Sequence, residues 1–187
     1  MRKVKLQMQL SIDGFVARPS GELDWMTWDW DDELKNYVKV ITDSVDCILL
    51  GRKLAEGFIP YWESAADNPD NPEYEAGKKL HEIPKVVFSK TLTTTKWTNT
   101  QLTNDDLTEE ITYLKKQPGN DIVVYGGASF VNALIKNDLI DEYYLFVNPV
   151  AIGKGISIFT DLGQKLKLVN AKSFECGIAL LCYKPIN

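Results

Sequence analysis

The sequence predicts an α/β fold with one mixed sheet that is mainly parallel and ends in an antiparallel part. Strand and helix patterns alternate as far as residue 136, which is typical of parallel strands joined by helices. Three strand patterns then follow with no helical pattern between them, which indicates antiparallel pairing. No repeat or linker divides the chain, and its length suits one domain. Residues 1–187 are therefore expected to form a single domain.

The first two elements follow from their apolar periodicity. Residues 4–10 alternate between apolar and polar side chains, which predicts a strand that ends at the turn Asp13-Gly14. A helical stripe comes next, formed by Leu34, Tyr37, Val38 and Ile41. Acidic residues precede this stripe, where the positive end of a helix dipole favours them.

The middle of the chain repeats this alternation. Residues 45–50 form an apolar run that Gly51 ends, and a short helix is expected after it. A loop rich in asparagine and proline over residues 68–72 separates this helix from a strand predicted over residues 85–89.

The second half contains one capped helix, a second helix and four strands. Thr103 and Asp106 fit a capping box for a helix that ends at Pro118-Gly119. A strand over 122–125 leads through Gly126-Gly127 into a helix over 130–136. The last strands are predicted over residues 142–150, 165–174 and 178–183.

The residues that most often carry catalysis are scarce. The chain has one histidine, His81, which is expected at a helix end, and three cysteines. A single histidine excludes metal sites built from several histidines and leaves little for a triad. The net charge of −5 argues against broad nucleic-acid binding, which needs a basic surface. Any chemistry is therefore expected to come mostly from a small molecule that the protein binds.

The sequence favours a cytoplasmic location. The N-terminal residues lack the apolar stretch of a signal peptide. No segment approaches the roughly 18 apolar residues that a membrane span requires. The cysteines (Cys47, Cys176 and Cys182) are odd in number and lack CxxC spacing, which suits buried thiols.

The strongest local signal is the junction that runs from Tyr125 through Gly126, Gly127, Ala128 and Ser129. A strand that ends in two glycines and opens a helix leaves backbone N–H groups accessible, which suits an anion. The alternative is a tight turn that needs glycine for its backbone angles. The dinucleotide fingerprint GxGxxG is absent, because no third glycine follows at the required spacing.

Two other strand ends carry residues that suit phosphate. Gly51 is followed by Arg52 and Lys53, and the third junction contains Ser89 and Lys90. The alternative is ordinary solvated surface charge. Because ligands of open α/β sheets bind at the carboxyl ends of strands, the three junctions together predict a polyphosphate site.

The order of these motifs resembles the dihydrofolate reductase superfamily. The similarity is closest to the reductase domain of the bifunctional deaminase/reductase of riboflavin biosynthesis, and it extends from about Val4 to Tyr183. The motifs that carry it are Leu10-Ser11-Ile12-Asp13-Gly14, Leu50-Gly51-Arg52-Lys53, Val87-Phe88-Ser89-Lys90, Tyr125-Gly126-Gly127-Ala128-Ser129, Asp141-Glu142, Asn148-Pro149-Val150 and Gly153-Lys154-Gly155 with Phe159.

The resemblance implies a three-layer α/β/α reductase that uses NADPH to reduce a small heterocyclic substrate, as 5-amino-6-(5-phosphoribosylamino)uracil reductase does. It places Gly51 and Arg52 at the adenosine 2′-phosphate, with Lys53 adding charge beside them. Ser89 and Lys90 fall near the same ribose phosphate or the adenine. The pyrophosphate falls to residues 126–129. A homodimer, as in relatives, is compatible with the sequence.

The resemblance places Asp13 where the substrate pocket opens, and Asp13 is the expected catalytic acid. Trp25, Trp62 and Gly155 are the expected substrate contacts, since a flat heteroaromatic ring could stack on the tryptophans. A turn stabilised by its own side chain is the alternative for Asp13. Core or dimer packing is the alternative for the tryptophans. A dihydrofolate reductase and a non-catalytic NADPH-binding protein remain alternatives. The first helical stripe lacks an acid in its body, which disfavours folate, and the zinc signature of a deaminase is absent.

Overall fold

The computed structural model describes residues 1–160 and 163–186. The strands are β1 (Val4–Leu10), β2 (Val45–Gly51), β3 (Lys85–Phe88), β4 (Thr100–Thr103), β5 (Asp121–Gly126), β6 (Glu142–Val147), β7 (Leu166–Ser173) and β8 (Ala179–Pro185). The helices are α1 (Asp32–Asp43), α2 (Arg52–Ala66), α3 (Tyr74–Glu82), α4 (Leu107–Lys116) and α5 (Ala128–Lys136).

One eight-stranded sheet runs through the molecule in the order β4-β3-β2-β5-β1-β6-β8-β7. The strands from β4 to β6 are parallel to one another, whereas β8 pairs antiparallel with both β6 and β7. The predicted mixed sheet with an antiparallel C-terminal part is therefore confirmed.

Helices cover both faces of the sheet. On one face, Val4 and Leu6 of β1 pack in a core cluster that includes Ile111 of α4 and Val131 of α5. On the opposite face, α2 and α3 pack on Ile48, Leu50 and Val123, and α1 packs on Phe146. The result is the expected three-layer α/β/α arrangement. No helix in the described ranges is long and apolar enough to cross a membrane.

The second helix is longer than the short helix that the sequence predicts. Helix α2 continues for 15 residues and passes through Pro60 without ending. Ala55 and Ile59 on this helix are buried against the sheet, and α3 packs against it through Gly77. This tertiary packing offsets the backbone hydrogen bond that Pro60 cannot donate.

Several predicted boundaries are wrong for local reasons. Thr103 lies in β4, a strand that the sequence patterns did not predict, so it does not cap α4. Asp106 caps this helix instead, because its side chain accepts from the backbone N–H groups of Thr108 and Glu109. Strand β6 ends at Val147, and Pro149 two residues later cannot donate to a neighbouring strand.

Both faces of β1 are buried, including the face that carries polar side chains. Lys5 and Gln7 are each 8% exposed, although their side chains alternate with the apolar core of the other face. Nζ of Lys5 contacts Ser44 Oγ at 2.9 Å and Asp121 Oδ2 at 2.9 Å. A buried strip of polar groups therefore lies under the layer that contains α1 and α2.

Candidate active site

The three predicted junctions meet at one edge of the sheet. Strand register pairs Leu50 with Gly126 and Gly51 with Phe88. The neighbouring strand β1 pairs Leu6 with Val124, so it runs toward the same edge. The residues that follow these strands therefore lie side by side at the carboxyl edge of the parallel sheet.

Two helices begin at this edge without a side-chain cap. Gly51 is the N-cap of α2 and Gly127 is the N-cap of α5, and neither residue can offer a side-chain acceptor. A Cβ placed on Gly51 would lie 3.6 Å from the backbone nitrogen of Gly127, so the two helix starts are adjacent. Two adjacent helix N-termini combine partial positive charge with available N–H donors, which is the chemistry of an anion site.

Glycine is also required at this edge for packing. Gly126 has φ +138°, and a Cβ there would lie 3.1 Å from Leu54. A Cβ on Gly51 would lie 2.9 Å from the Cβ of Phe130, whose ring stacks on Phe88 with centroids 4.8 Å apart. The backbone angles of Gly126 and close packing at Gly51 therefore account for glycine at these two positions, and the anion site stays a prediction.

The predicted cations near the two helix starts differ in exposure and in hydrogen bonding. Arg52 Nη1 donates to Oε1 of Glu56 at 2.6 Å along the same helix. Lys53 and Lys90 are exposed. Ser89 is buried, and its Oγ accepts from the backbone nitrogens of Thr91 at 3.2 Å and Leu92 at 2.8 Å. Its hydroxyl therefore holds the loop that carries Lys90.

Asp13 links two loops at the end of β1. Its carboxylate accepts hydrogen bonds from Ser11 Oγ at 2.6 Å and from the backbone nitrogen of Gly153 at 2.7 Å. The backbone nitrogen of Ile152 lies 3.1 Å from Oδ2. The bond from Ser11, together with those from the two backbone amides, lowers the pKa of Asp13. The exposed side chain is therefore a carboxylate at neutral pH.

Gly155 lies where the chain packs closely against the loop after β1. A Cβ on this residue would lie 2.4 Å from the carbonyl oxygen of Ala17 and 2.8 Å from the Cβ of Phe15. The next residue, Ile156, forms an isolated antiparallel bridge with Ala17. Close packing accounts for glycine here, and its predicted substrate contact stays a prediction.

The two predicted tryptophans occupy different environments. Trp25 is 6% exposed, and its indole Nε1 has no hydrogen-bond partner. Trp62 is half-buried on α2, and its ring meets that of Phe58 at 6.0 Å. Phe58 in turn stacks on Tyr125 at 5.2 Å. Phe58 therefore contacts both Trp62 and Tyr125, which lies in the strand that ends in Gly126.

The structure adds polar residues that the sequence patterns did not single out. Gln7 has a buried Oε1 without a partner, and Gln9 Oε1 accepts from Nδ2 of the buried Asn148 at 2.8 Å. Burial raises the pKa of Tyr125 to about 12, and its hydroxyl lies 3.4 Å from Thr42 Oγ1. The signal in the sequence was the pair of glutamines in a central strand, where polar residues are costly to bury.

His81 lies in the last turn of α3, at the helix end where it was expected. Its backbone carbonyl accepts from Lys85 Nζ at 2.9 Å and from Asn99 Nδ2 at 3.3 Å. His81 therefore lies near the amino end of β3, whereas the predicted site lies at the carboxyl end, where β3 ends at Phe88.

Comparison with known proteins assigns the chain to a family. Residues 2–180 match the family described as the RibD C-terminal domain. The chain belongs to the RibD C-terminal domain family. It is 35% identical over 184 residues to the uncharacterized protein YyaP of Bacillus subtilis, and the match covers 97% of this chain and 94% of that protein.

Two further proteins that the chain is similar to have riboflavin biosynthesis or a pyrimidine reductase in their names. The chain is 24% identical over 170 residues to the riboflavin biosynthesis protein RibD of Corynebacterium ammoniagenes, covering 83% of this chain and 45% of that protein. It shares the fold of the deaminase/5-amino-6-(5-phosphoribosylamino)uracil reductase of Thermotoga maritima, with a TM-score of 0.69 and 20% identity. That match covers 99% of this chain and 57% of the Thermotoga chain.

Proposed function

We propose that this protein is an NADPH-dependent reductase that transfers a hydride to a small heterocyclic substrate. The observation that carries the proposal is the pair of adjacent, uncapped helix N-termini at Gly51 and Gly127. A dinucleotide carries phosphate groups that need such donors. The Thermotoga relative, whose name includes an aminouracil reductase, suggests a pyrimidine as one substrate to test.

Different residues at the carboxyl edge of the sheet would bind different parts of the cofactor. Backbone N–H groups of residues 126–129 would hold the pyrophosphate, because the glycines leave them uncovered. Arg52 and Lys53 would hold the 2′-phosphate that distinguishes NADPH from NADH, and Lys90, held by the Ser89 loop, would add charge beside it. A basic cluster at this edge suits a polyphosphate in a chain whose net charge is −5.

The bound nicotinamide would supply the hydride, and the protein would supply binding and orientation. Asp13 is the proposed group for the proton. It is ionised at neutral pH, so it would accept a proton from a water molecule and pass that proton to the substrate. Trp25 and Gly155 lie in segments that contact the loops beside Asp13 and Asn148, and we propose that these segments, with the more distant Trp62, border the substrate.

Two alternatives are separable from this proposal. Helix α1 has no acidic residue between Leu34 and Thr42, so a folate ring would lack a carboxylate partner from the body of that helix. A non-catalytic NADPH-binding protein would keep the cofactor site without turnover.

A cytoplasmic location would suit a reductase with three free cysteines in its described residues.

The test is a fluorescence titration of the purified protein with NADPH and with NADH. NADPH is expected to bind about tenfold or more tightly, because only NADPH carries the phosphate for Arg52. Equal affinity for the two cofactors, or no binding at millimolar concentration, would overturn the proposal. Oxidation of NADPH with a panel of pyrimidines, pterins and dihydrofolate then separates a reductase from the two alternatives.

A further inference from the structure

We propose that Asn148 is a positioning residue that fixes the tryptophan segment over the carboxyl edge of the sheet. The tryptophan segment is residues 22–30, which contain Trp25, Trp28 and Trp30. The inference rests on the proposed reductase function, because Trp25 is one of the residues proposed to border the substrate. Three observations carry it: the place of Asn148 in the fold, the partners of its buried amide, and the scarcity of other hydrogen bonds that hold the tryptophan segment.

Asn148 lies directly after β6, at the edge of the sheet that carries the candidate site. Strands β1 and β6 are parallel, and their register pairs Leu10 with Val147 where both strands end. The backbone nitrogen of Asn148 donates to the carbonyl oxygen of Leu10 at 2.7 Å. Met8 of β1 reaches the glycine junction, since a Cβ on Gly126 would lie 3.5 Å from its Cε. Asn148 is therefore at the same edge as the glycines proposed to hold the cofactor.

The side-chain amide of Asn148 joins three parts of the chain: β1, β6 and the tryptophan segment. Its Nδ2 donates to Gln9 Oε1 at 2.8 Å and to the carbonyl oxygens of Phe146 at 3.3 Å and Leu10 at 3.4 Å. Its Oδ1 accepts from the backbone nitrogen of Thr27 at 2.9 Å. These partners fix the orientation of the amide, because a backbone N–H can only donate and a backbone carbonyl can only accept.

The contacts require an amide of this length. Asn148 is 0% exposed, so water cannot replace a partner that is lost. An ionised aspartate would have no hydrogen to donate to Gln9, and a leucine could neither donate nor accept. A glutamine would add a methylene to a closed, packed site. Asparagine therefore satisfies the donors and acceptors that meet at this position.

The tryptophan segment has few other hydrogen bonds to hold it. Among the residues that the structure describes, the bond from Thr27 to Asn148 is the one that links residues 22–30 to a part of the chain outside the connection between β1 and α1. The bond from Trp30 Nε1 to the carbonyl oxygen of Thr27 stays within the segment. Trp30 also packs against the core beneath α1. Apolar packing is not directional, so the hydrogen bond to Asn148 fixes the position of the part that contains Trp25.

This connection matters for the substrate side of the site more than for the cofactor side. Release of Thr27 would let Trp25 move relative to the end of β1, and a misplacement of about 1 Å can slow an oriented reaction about 10²-fold. The residues proposed for the cofactor follow β2, β3 and β5 and have no hydrogen bond to Asn148 in the described ranges. Loss of the amide should therefore lower turnover and leave NADPH binding unchanged.

Amide hydrogen exchange at Thr27, followed by NMR, tests the connection directly. Asn148→Leu should speed exchange at Thr27 about tenfold or more and leave the central amides of β1 and β6 protected. Turnover is measured with the pyrimidine, pterin or dihydrofolate that the wild-type protein reduces fastest. In Asn148→Leu, kcat/KM should fall about tenfold or more, while the Kd for NADPH stays unchanged.

Asn148→Asp makes the same change reversibly. When neutral, its carboxyl can accept from Thr27 and donate to Gln9, as the amide does. When ionised, it has no donor and faces the oxygens of Gln9, Leu10 and Phe146. These partners and Thr27 carry no charge, so burial should raise the pKa of that carboxyl above its ordinary value. The losses at Thr27 and in kcat/KM, each taken relative to wild type at the same pH, should therefore shrink as pH falls from about 8 to 5.

A matched control separates positioning from stability. Tyr143, nearer the amino end of β6, is fully buried, and its hydroxyl donates to Gln164 Oε1 at 2.8 Å. Tyr143→Phe should lower the melting temperature, because it removes a buried hydrogen bond. It should change neither the exchange of Thr27 nor kcat/KM.

The possible failures are distinguishable. A wild-type protein that binds no NADPH or reduces no member of the panel would defeat the proposed function, and exchange at Thr27 would still decide whether Asn148 holds the segment. Unchanged exchange at Thr27 in both variants, or faster exchange with unchanged kcat/KM, would overturn this inference alone. Loss of folding in both variants at every pH would assign Asn148 a purely structural role and would also overturn it.

Discussion

Nη1 of Arg52 lies 2.6 Å from Oε1 of Glu56, one turn further along α2. The pair holds the guanidinium beside the N-terminus of α2, but it also occupies one of the donors that a phosphate would use. The half-exposed pair is worth only about 0.3–0.5 kcal/mol, so a bound phosphate can displace the carboxylate.

Replacing Glu56 with glutamine is expected to strengthen NADPH binding about twofold, because it frees Arg52 from that ion pair. Arg52→Ala is expected to weaken NADPH about tenfold or more and to change NADH little. Fluorescence titration measures both. Glu75→Gln, which breaks an ion pair with Lys78 on α3, is the matched control and should change neither affinity. Weaker NADPH binding in Glu56→Gln would contradict this assignment.

Two helical glycines should respond in opposite directions to alanine. A Cβ on Gly57 would meet no atom within 4 Å, whereas a Cβ on Gly77 would lie 2.8 Å from the backbone nitrogen of Ala66. Gly57→Ala should therefore raise the free energy of unfolding by about 0.5–1 kcal/mol. Gly77→Ala should lower it by about 1–3 kcal/mol, because α2 and α3 must move apart. Urea denaturation of both variants measures the two changes, and equal changes in the free energy of unfolding would contradict the prediction.

Acid should destabilise the protein through Glu142. Burial raises the pKa of this carboxyl, but hydrogen bonds from Lys3, Tyr144 and Lys184 outweigh burial and lower the pKa to about 2. A lower pKa in the folded state means that stability is present above the unfolded value and is lost as pH falls. The loss should be on the order of 2–3 kcal/mol between about pH 4.5 and pH 2. Glu142→Gln should flatten this part of the stability curve, and an unchanged curve would count against it.

Lys85 should also make the protein more stable as pH rises, but in the alkaline range. Its Nζ is buried and donates to the carbonyl oxygens of His81 and Ile83, and burial lowers its pKa to about 8. Because the unfolded lysine binds its proton more tightly, this residue makes the protein more stable as pH rises from about 8 to 10. The difference in unfolding free energy between wild type and Lys85→Met should show that rise. Lys96→Met, at an exposed lysine, should not.

Asp13→Asn tests whether the carboxylate takes part in turnover or only joins loops. If it holds a proton for the reaction, kcat should fall about 10²-fold or more while the Kd for NADPH stays unchanged. The pH profile of kcat should also lose its acid limb, since the low pKa of Asp13 would set it. A lower melting temperature with unchanged kcat would assign Asp13 a purely structural role.

Much of the fold could be predicted because its signals are local. The alternation over β1, the apolar run of β2 and the stripe of α1 each lie within one short window of sequence. The elements that escaped prediction depend on packing. Strand β4 has only one buried residue, so its sequence lacks an apolar pattern. Helix α2 continues through Pro60 because its buried face packs against the sheet and α3.

The glycine junctions could be located in the sequence for a similar reason. Glycine after an apolar strand marks a backbone that needs either a positive φ or close approach, and Gly126 and Gly51 show one case each. Their adjacency could not be read from spacing, because residues 75 positions apart become neighbours only through the strand order β2-β5.

The sequence by itself determined the fold class, the family resemblance and the phosphate-compatible strand ends, since each depends on residue types over short distances. Only the tertiary structure decided which of these residues are free to bind. It engages Asp13 with the backbone amides of Ile152 and Gly153 and leaves Gln7 and Trp25 buried without partners. The physical reason is that hydrogen bonding and burial depend on distant segments, and those meet only after the sheet has ordered its strands.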